Sequence, residues 1–220
     1  MIKAVIFDMD GVLIDSEHHW QRTERALFAE FGINLTDELL HQTRGLTTEE
    51  MMDHWGRRFD LDGANPKDLM TRYDSLMVTC IANDVQMMDG ARDTLQFFKD
   101  KKLPIALASC STLDHIHAAM ESHGIGDYFK MLVSASENMP GKPHPEVYLK
   151  TAESLKIDPT SCLAIEDSFY GVIAAKSARM KVVAMPDPLE FHQPRYGAAD
   201  MKISSLREIN EDTFDHLQKL

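Results

Sequence analysis

The sequence predicts an α/β fold: a doubly wound, Rossmann-like parallel sheet with a four-helix domain inserted after its first strand. Three observations predict it. Five short apolar runs, at residues 2–7, 104–108, 131–133, 162–165 and 181–185, are rich in β-branched residues or Ala and do not alternate. That is the pattern of strands buried on both faces. From residue 89 onward the runs are separated by segments with apolar residues three or four apart, at 94–98, 113–120, 146–155 and 172–178. Such alternation means βαβ units with right-handed crossovers. Between residues 16 and 86 the alternation stops, and only helical patterns are found.

The elements follow in order. The first strand leads into Asp8-Met9-Asp10-Gly11. In the insert, Trp20, Leu27, Phe28 and Phe31 mark a first helix, and Leu39 and Leu40 a second. Met51, Met52, Trp55 and Phe59 mark a third, and the stretch from Leu69 to Ile81 a fourth. Asp62-Gly63-Ala64-Asn65-Pro66 reads as a loop with proline at a helix start. The chain breaks at Asp15-Ser16 and near 87–89, dividing it into an α/β core (1–15 and 88–220) and a helical cap (16–87). Met70 and Met77, at helical spacing among apolar residues, fit core packing. His18 and His19 are adjacent and His115 and His117 are two apart, so neither pair shares a ligand on a helix.

Composition narrows the function. The chain has 220 residues, 44% hydrophobic and 26% charged, which is ordinary for a folded protein and excludes disorder. Its 23 Lys and Arg against 35 Asp and Glu give a net charge of −12. Phosphate neutralisation calls for a basic excess, so nucleic acid and anionic membranes are not the expected partners. No stretch approaches the ~18 apolar residues of a membrane span. The three cysteines, Cys80, Cys110 and Cys162, are far apart and suit a reducing compartment. A cytoplasmic monomer is expected.

Four segments carry chemistry. Asp8 and Asp10, two apart on an extended segment, project to the same side beyond the carboxyl end of a buried strand, where open α/β sheets bind ligands. Gly11 lets the chain turn and approach an anion. Two such carboxylates repel, so a cation must join them or one must take a proton. The second strand ends in Ser109-Cys110-Ser111-Thr112. Ser109 and the Cys110 position suit a phosphate held by hydroxyl and backbone N–H, and Thr112 suits a helix N-cap. In Gly141-Lys142-Pro143-His144-Pro145, a lysine is gripped in a rigid loop where it can offset the aspartates. The fourth strand delivers Glu166-Asp167-Ser168, completing an oxygen-rich set suited to Mg²⁺.

This constellation resembles the haloacid dehalogenase superfamily along the whole chain, through Asp8-Met9-Asp10-Gly11, Ser109, Lys142-Pro143 and Glu166-Asp167. Within it, the run from Asp8 to Glu17 and Lys142-Pro143-His144-Pro145 are similar to the β-phosphoglucomutase-like branch with its sugar and hexitol phosphatases. The resemblance implies Asp8 as nucleophile and Asp10 as acid and base. It implies Ser109, Cys110 and Lys142 as phosphate ligands, and Asp8, Asp10 (through its carbonyl), Glu166 and Asp167 around Mg²⁺. The implied substrate is a small phosphate ester, a sugar or polyol phosphate. His19, Trp20, Arg44 and Thr47 of the cap are the candidates for its recognition.

A phosphosugar mutase is the alternative. The resemblance asks a mutase for a cap histidine and a Lys-Asn pair for the distal phosphate, where this chain has Trp20 and Thr112-Leu113. A haloacid dehalogenase needs no second aspartate at Asp10. A phosphonoacetaldehyde hydrolase needs a cap lysine able to form an imine, and Lys67 is poorly placed. A phospho-Asp regulatory receiver would carry no helical insert.

Overall fold

The computed structural model describes residues 1–40, 42–61, 63–135 and 139–220. Asp62, at the head of the expected loop, lies outside the described residues. β1 (Ala4–Phe7) is followed by four helices, α1 (Glu17–Ala29), α2 (Asp37–Leu40), α3 (Thr48–Gly56) and α4 (Pro66–Asn83). Alternation then resumes with α5 (Ala91–Asp100), β2 (Ile105–Ser109), α6 (Leu113–His123), β3 (Phe129–Ser134) and α7 (Glu146–Leu155). It continues through β4 (Cys162–Glu166), α8 (Phe169–Ser177), β5 (Lys181–Ala184), β6 (Met201–Lys202) and α9 (Glu211–Lys219).

The strands form one six-stranded sheet in the order β3-β2-β1-β4-β5-β6, every pairing parallel. Five of the strands coincide with the apolar runs. The sixth, only two residues long, carries no periodicity that a sequence could display, and α9 likewise lies beyond the elements expected.

The two sheet faces differ in a way the sequence encodes. Ala4, Ile6, Ala106, Ala108, Ala164, Val182 and Ala184 face α7 and α8. Being mostly alanine, they let these helices pack close. Val5, Phe7, Leu107, Leu163 and Ile165 face the other way, into a larger core that runs on without a break into the helical insert through Leu27, Phe28, Trp55, Met77 and Ile81. The insert therefore rests on apolar surface it shares with the sheet, and its burial supplies most of its stability.

Register positions the site. Phe7 lies level with Leu107 on one side and Ile165 on the other. The residues that follow, Asp8, Ser109 and Glu166, thus emerge at one edge. The segments entering and leaving the insert run side by side: Asp15 N–H donates to Gln86 O at 2.9 Å, and Met88 N–H to Leu13 O at 2.9 Å. No helix among the described residues is long and apolar enough to cross a membrane.

Candidate active site

The turn after β1 is built around Met9 O, which accepts from Leu13 N–H at 2.8 Å and Ile14 N–H at 3.2 Å. Gly11 sits at φ +71°, and a Cβ there would strike the Asp167 carboxylate. Only glycine combines that backbone with that approach. Asp8, Glu166 and Asp167 are all buried, and each offers a carboxylate oxygen within 4.8 Å of the others.

Lys142 is the trio's cation. Its Nζ lies 2.8 Å from Asp8 Oδ1 and 2.6 Å from Glu166 Oε1, over the Tyr148 ring at 5.2 Å. Glu166 is fully engaged: Oε1 also accepts from Tyr148 Oη at 2.7 Å, and Oε2 from Ser168 N–H and Oγ, both at 3.2 Å. Gly171 leaves the room for it, since a Cβ there would overlap the carboxylate. Asp167 Oδ2 accepts from Arg44 Nη2 at 2.7 Å, across from the insert, and Arg44 Nε stands 3.6 Å from Glu17 Oε2.

The electrostatics follow. Burial, then Glu166, push Asp8 well above the usual carboxylate range, with Lys142 opposing. Burial raises Asp167 to about 7 against the pull of Arg44. Burial works against the Lys142 ammonium, but Asp8 and Glu166 outweigh it and hold its proton firmly. These shifts mark negative charge in excess of the two side-chain cations. A small divalent cation with hard oxygen ligands fits that deficit.

Asp10 stands outside the trio. Its Oδ1 accepts from Ser16 Oγ at 2.5 Å and Trp20 Nε1 at 2.7 Å, and its Oδ2 from Ser111 Oγ at 2.7 Å. Ser109, buried at the tip of β2, accepts from Ser111 N–H at 3.0 Å. Cys110 turns its sulfur to Lys142 N–H at 3.4 Å, and burial pushes the thiol up to about 12. Thr112 caps α6 by accepting from His115 N–H. Asp8, Asp10, Ser109, Cys110, Ser111, Lys142 and Asp167 line a cavity of about 90 Å³, roofed by Trp20, Glu24, Thr43, Arg44, Thr47, Met51 and Tyr73.

The four cap candidates part company here. Trp20 and Arg44 line the cavity, but each is bonded to a core aspartate. Thr47 also lines it, with its side chain spent on capping α3, where it accepts from Glu50 N–H. His19 turns away: its Nδ1 lies 3.0 Å from Cys80 Sγ, and it is not part of the cavity wall. Neighbours on a helix point about 100° apart, and Trp20 takes the side facing the cavity. Sequence reasoning passed over Ser111, Tyr148, Glu17 and Glu24. Glu24 had a signal, since it follows Trp20 by four residues and so shares its helix face.

Fold and site together define a class: doubly wound α/β proteins in which an aspartate just past the first strand meets a lysine and acids placed at or after the ends of later strands. The chain belongs to the haloacid dehalogenase-like hydrolases, whose sequence model matches residues 5–185. It is 36% identical over 209 residues to hexitol phosphatase B of Escherichia coli K12, covering 94% of each chain. It is 29% identical to a phosphorylated carbohydrates phosphatase of Thermotoga maritima, over 80% of this chain and 82% of that one. A crystal structure of β-phosphoglucomutase from Clostridium difficile superposes with a TM-score of 0.85 at 24% identity, over 100% of this chain and 98% of that one, which shows the shared fold.

Proposed function

We propose that the protein is a Mg²⁺-dependent phosphatase of small sugar or polyol phosphates, working through a phosphorylated Asp8. The observation that carries this reading is the meeting of Asp8, Glu166 and Asp167 with Lys142, in a chain similar along 94% of its length to a hexitol phosphatase.

Asp8 attacks phosphorus in line with the ester oxygen, so the Asp8–phosphorus bond forms as the ester bond breaks. Asp10 gives its proton to the departing alkoxide. It then takes one from the water that cleaves the acyl phosphate. Ser16, Trp20 and Ser111 hold its carboxylate in place for both transfers. Lys142 and Ser109, with the backbone after β2, hold the phosphate oxygens.

Asp8, Asp167 and the Asp10 carbonyl would hold Mg²⁺, which when bound neutralises and orients the phosphoryl oxygens. Glu166, with both oxygens taken, supports this set by anchoring Lys142. Residues 16–87 act as a cap that excludes bulk water from the core of 1–15 and 88–220. A mutase would need charge for a second phosphate near Thr112, whose side chain is committed to its helix.

A phosphate-release screen tests this. Hexitol and hexose phosphates lead, chelation of divalent metal abolishes turnover, and Asp8→Asn falls to background. Nucleotides or pyrophosphate in the lead, or faster isomerisation of glucose 1-phosphate, would contradict it.

A further inference from the structure

The roof of the cavity holds an acid that the phosphoryl chemistry does not use. Glu24, in the second turn of α1, is 5% exposed. Its Oε1 accepts from Trp55 Nε1 at 2.5 Å and from Thr43 Oγ1 at 3.0 Å. Its Oε2 has no partner among the described residues. Glu24 is one of the residues that line the cavity.

A carboxylate in such a place is costly unless something completes its hydrogen bonds. Packing alone would be served by leucine. Instead the acid is pinned from two directions, by α3 through Trp55 and by the segment after α2 through Thr43, both on Oε1, in the wall of the cavity. No basic side chain pairs with it among the described residues. Burial lifts it to about 7, consistent with an incomplete solvation shell.

We propose that Glu24 is the residue of the roof that selects the leaving group, its Oε2 accepting a hydrogen bond from a hydroxyl of a polyhydroxylated ester. This rests on the phosphatase reading above and specifies its substrate class. The geometry also gives the cavity a polarity. Lys142 at the floor attracts phosphate, whereas Glu24 at the roof, in its ionised form, offers only acceptors and repels it. An ester therefore enters with its phosphate toward Lys142 and its hydroxyls toward Glu24. A bisphosphate meets a carboxylate where its second phosphate would lie.

The test is steady-state phosphate release by the full chain with Mg²⁺, using a hexitol 6-phosphate and acetyl phosphate, which has no hydroxyl. In Glu24→Gln the KM for the hexitol phosphate rises about 10- to 100-fold, the span of one hydrogen bond to a charged group. For this substrate kcat changes little, and kcat/KM for acetyl phosphate changes less than about threefold. Trp55→Phe removes one of the two pinning donors and keeps the ring. It gives a smaller rise with the same selectivity, and it carries the test should Glu24→Gln not fold. Equal losses on both probes would reduce Glu24 to a part of the wall and overturn the proposal, as would no change on either. A wild-type protein inactive on both probes would instead defeat the phosphatase reading itself.

Discussion

Two groups of buried acid lie at opposite ends of one cavity, and the protein handles them in opposite ways. At the floor, Asp8, Glu166 and Asp167 are answered with charge, by Lys142 and Arg44. At the roof, Glu24 is answered, among the described residues, by the neutral donors Trp55 and Thr43. Charge-dense pairing suits a centre that must receive a doubly negative phosphate and a cation. Neutral donors fix an acceptor in place without cancelling it, which suits the choice among uncharged hydroxyls. The difference teaches where rate and specificity are separately adjustable.

The floor breaks most severely. Lys142→Ala removes the one side-chain cation that the described residues place on Asp8 and Glu166 and leaves both acids buried. The fold loses about 3–5 kcal/mol in urea unfolding, the usual cost of stripping one partner from a buried ion pair. A loss under about 1 kcal/mol would mean that the acids are relieved by some other route.

The roof responds to pH rather than to loss of charge. Glu24 binds its proton more tightly folded, at about 7 against an ordinary 4.5. The stability this protonation provides is complete at low pH and is lost as pH rises from the ordinary value through about 7. Glu24→Gln does not titrate. Its stability relative to the wild type therefore climbs between pH 5 and pH 8 by on the order of 2–3 kcal/mol. A difference that stays flat over that span would show that the carboxyl is better solvated than its surroundings imply.

Trp20 joins the two regions, since it belongs to the insert and bonds the floor's Asp10. Trp20→Phe removes one of three donors to that carboxylate and keeps the apolar surface. It lowers kcat about tenfold, a hydrogen bond's worth, with KM nearly constant. A change confined to KM would return Trp20 to substrate recognition.

This contrast also explains what could be read from the chain alone. Asp8, Ser109, Lys142, Glu166 and Asp167 each sit just past a buried apolar run or in a proline-framed loop, so local pattern announces them, and parallel register brings them level. The sheet was legible for the same reason, apart from the two-residue β6. The roof was less legible, because its side chains lie on helix faces whose direction depends on tertiary packing. His19 and Trp20 differ by one position, yet one meets Cys80 and the other Asp10. Thr47 had the chemistry of a ligand but serves as a helix cap, and Glu24 was hidden by resembling an ordinary solvated acid.

The central claim is that Asp8, among the clustered acids and beside Lys142, takes the phosphoryl group. Acid quenching during turnover of acetyl phosphate with Mg²⁺, followed by peptide mass spectrometry, tests it most directly. The account predicts a phosphoryl adduct on the peptide containing Asp8, absent from Asp8→Asn. Turnover with the adduct on another residue, or an Asp8→Asn protein that still releases phosphate at the wild-type rate, would contradict it.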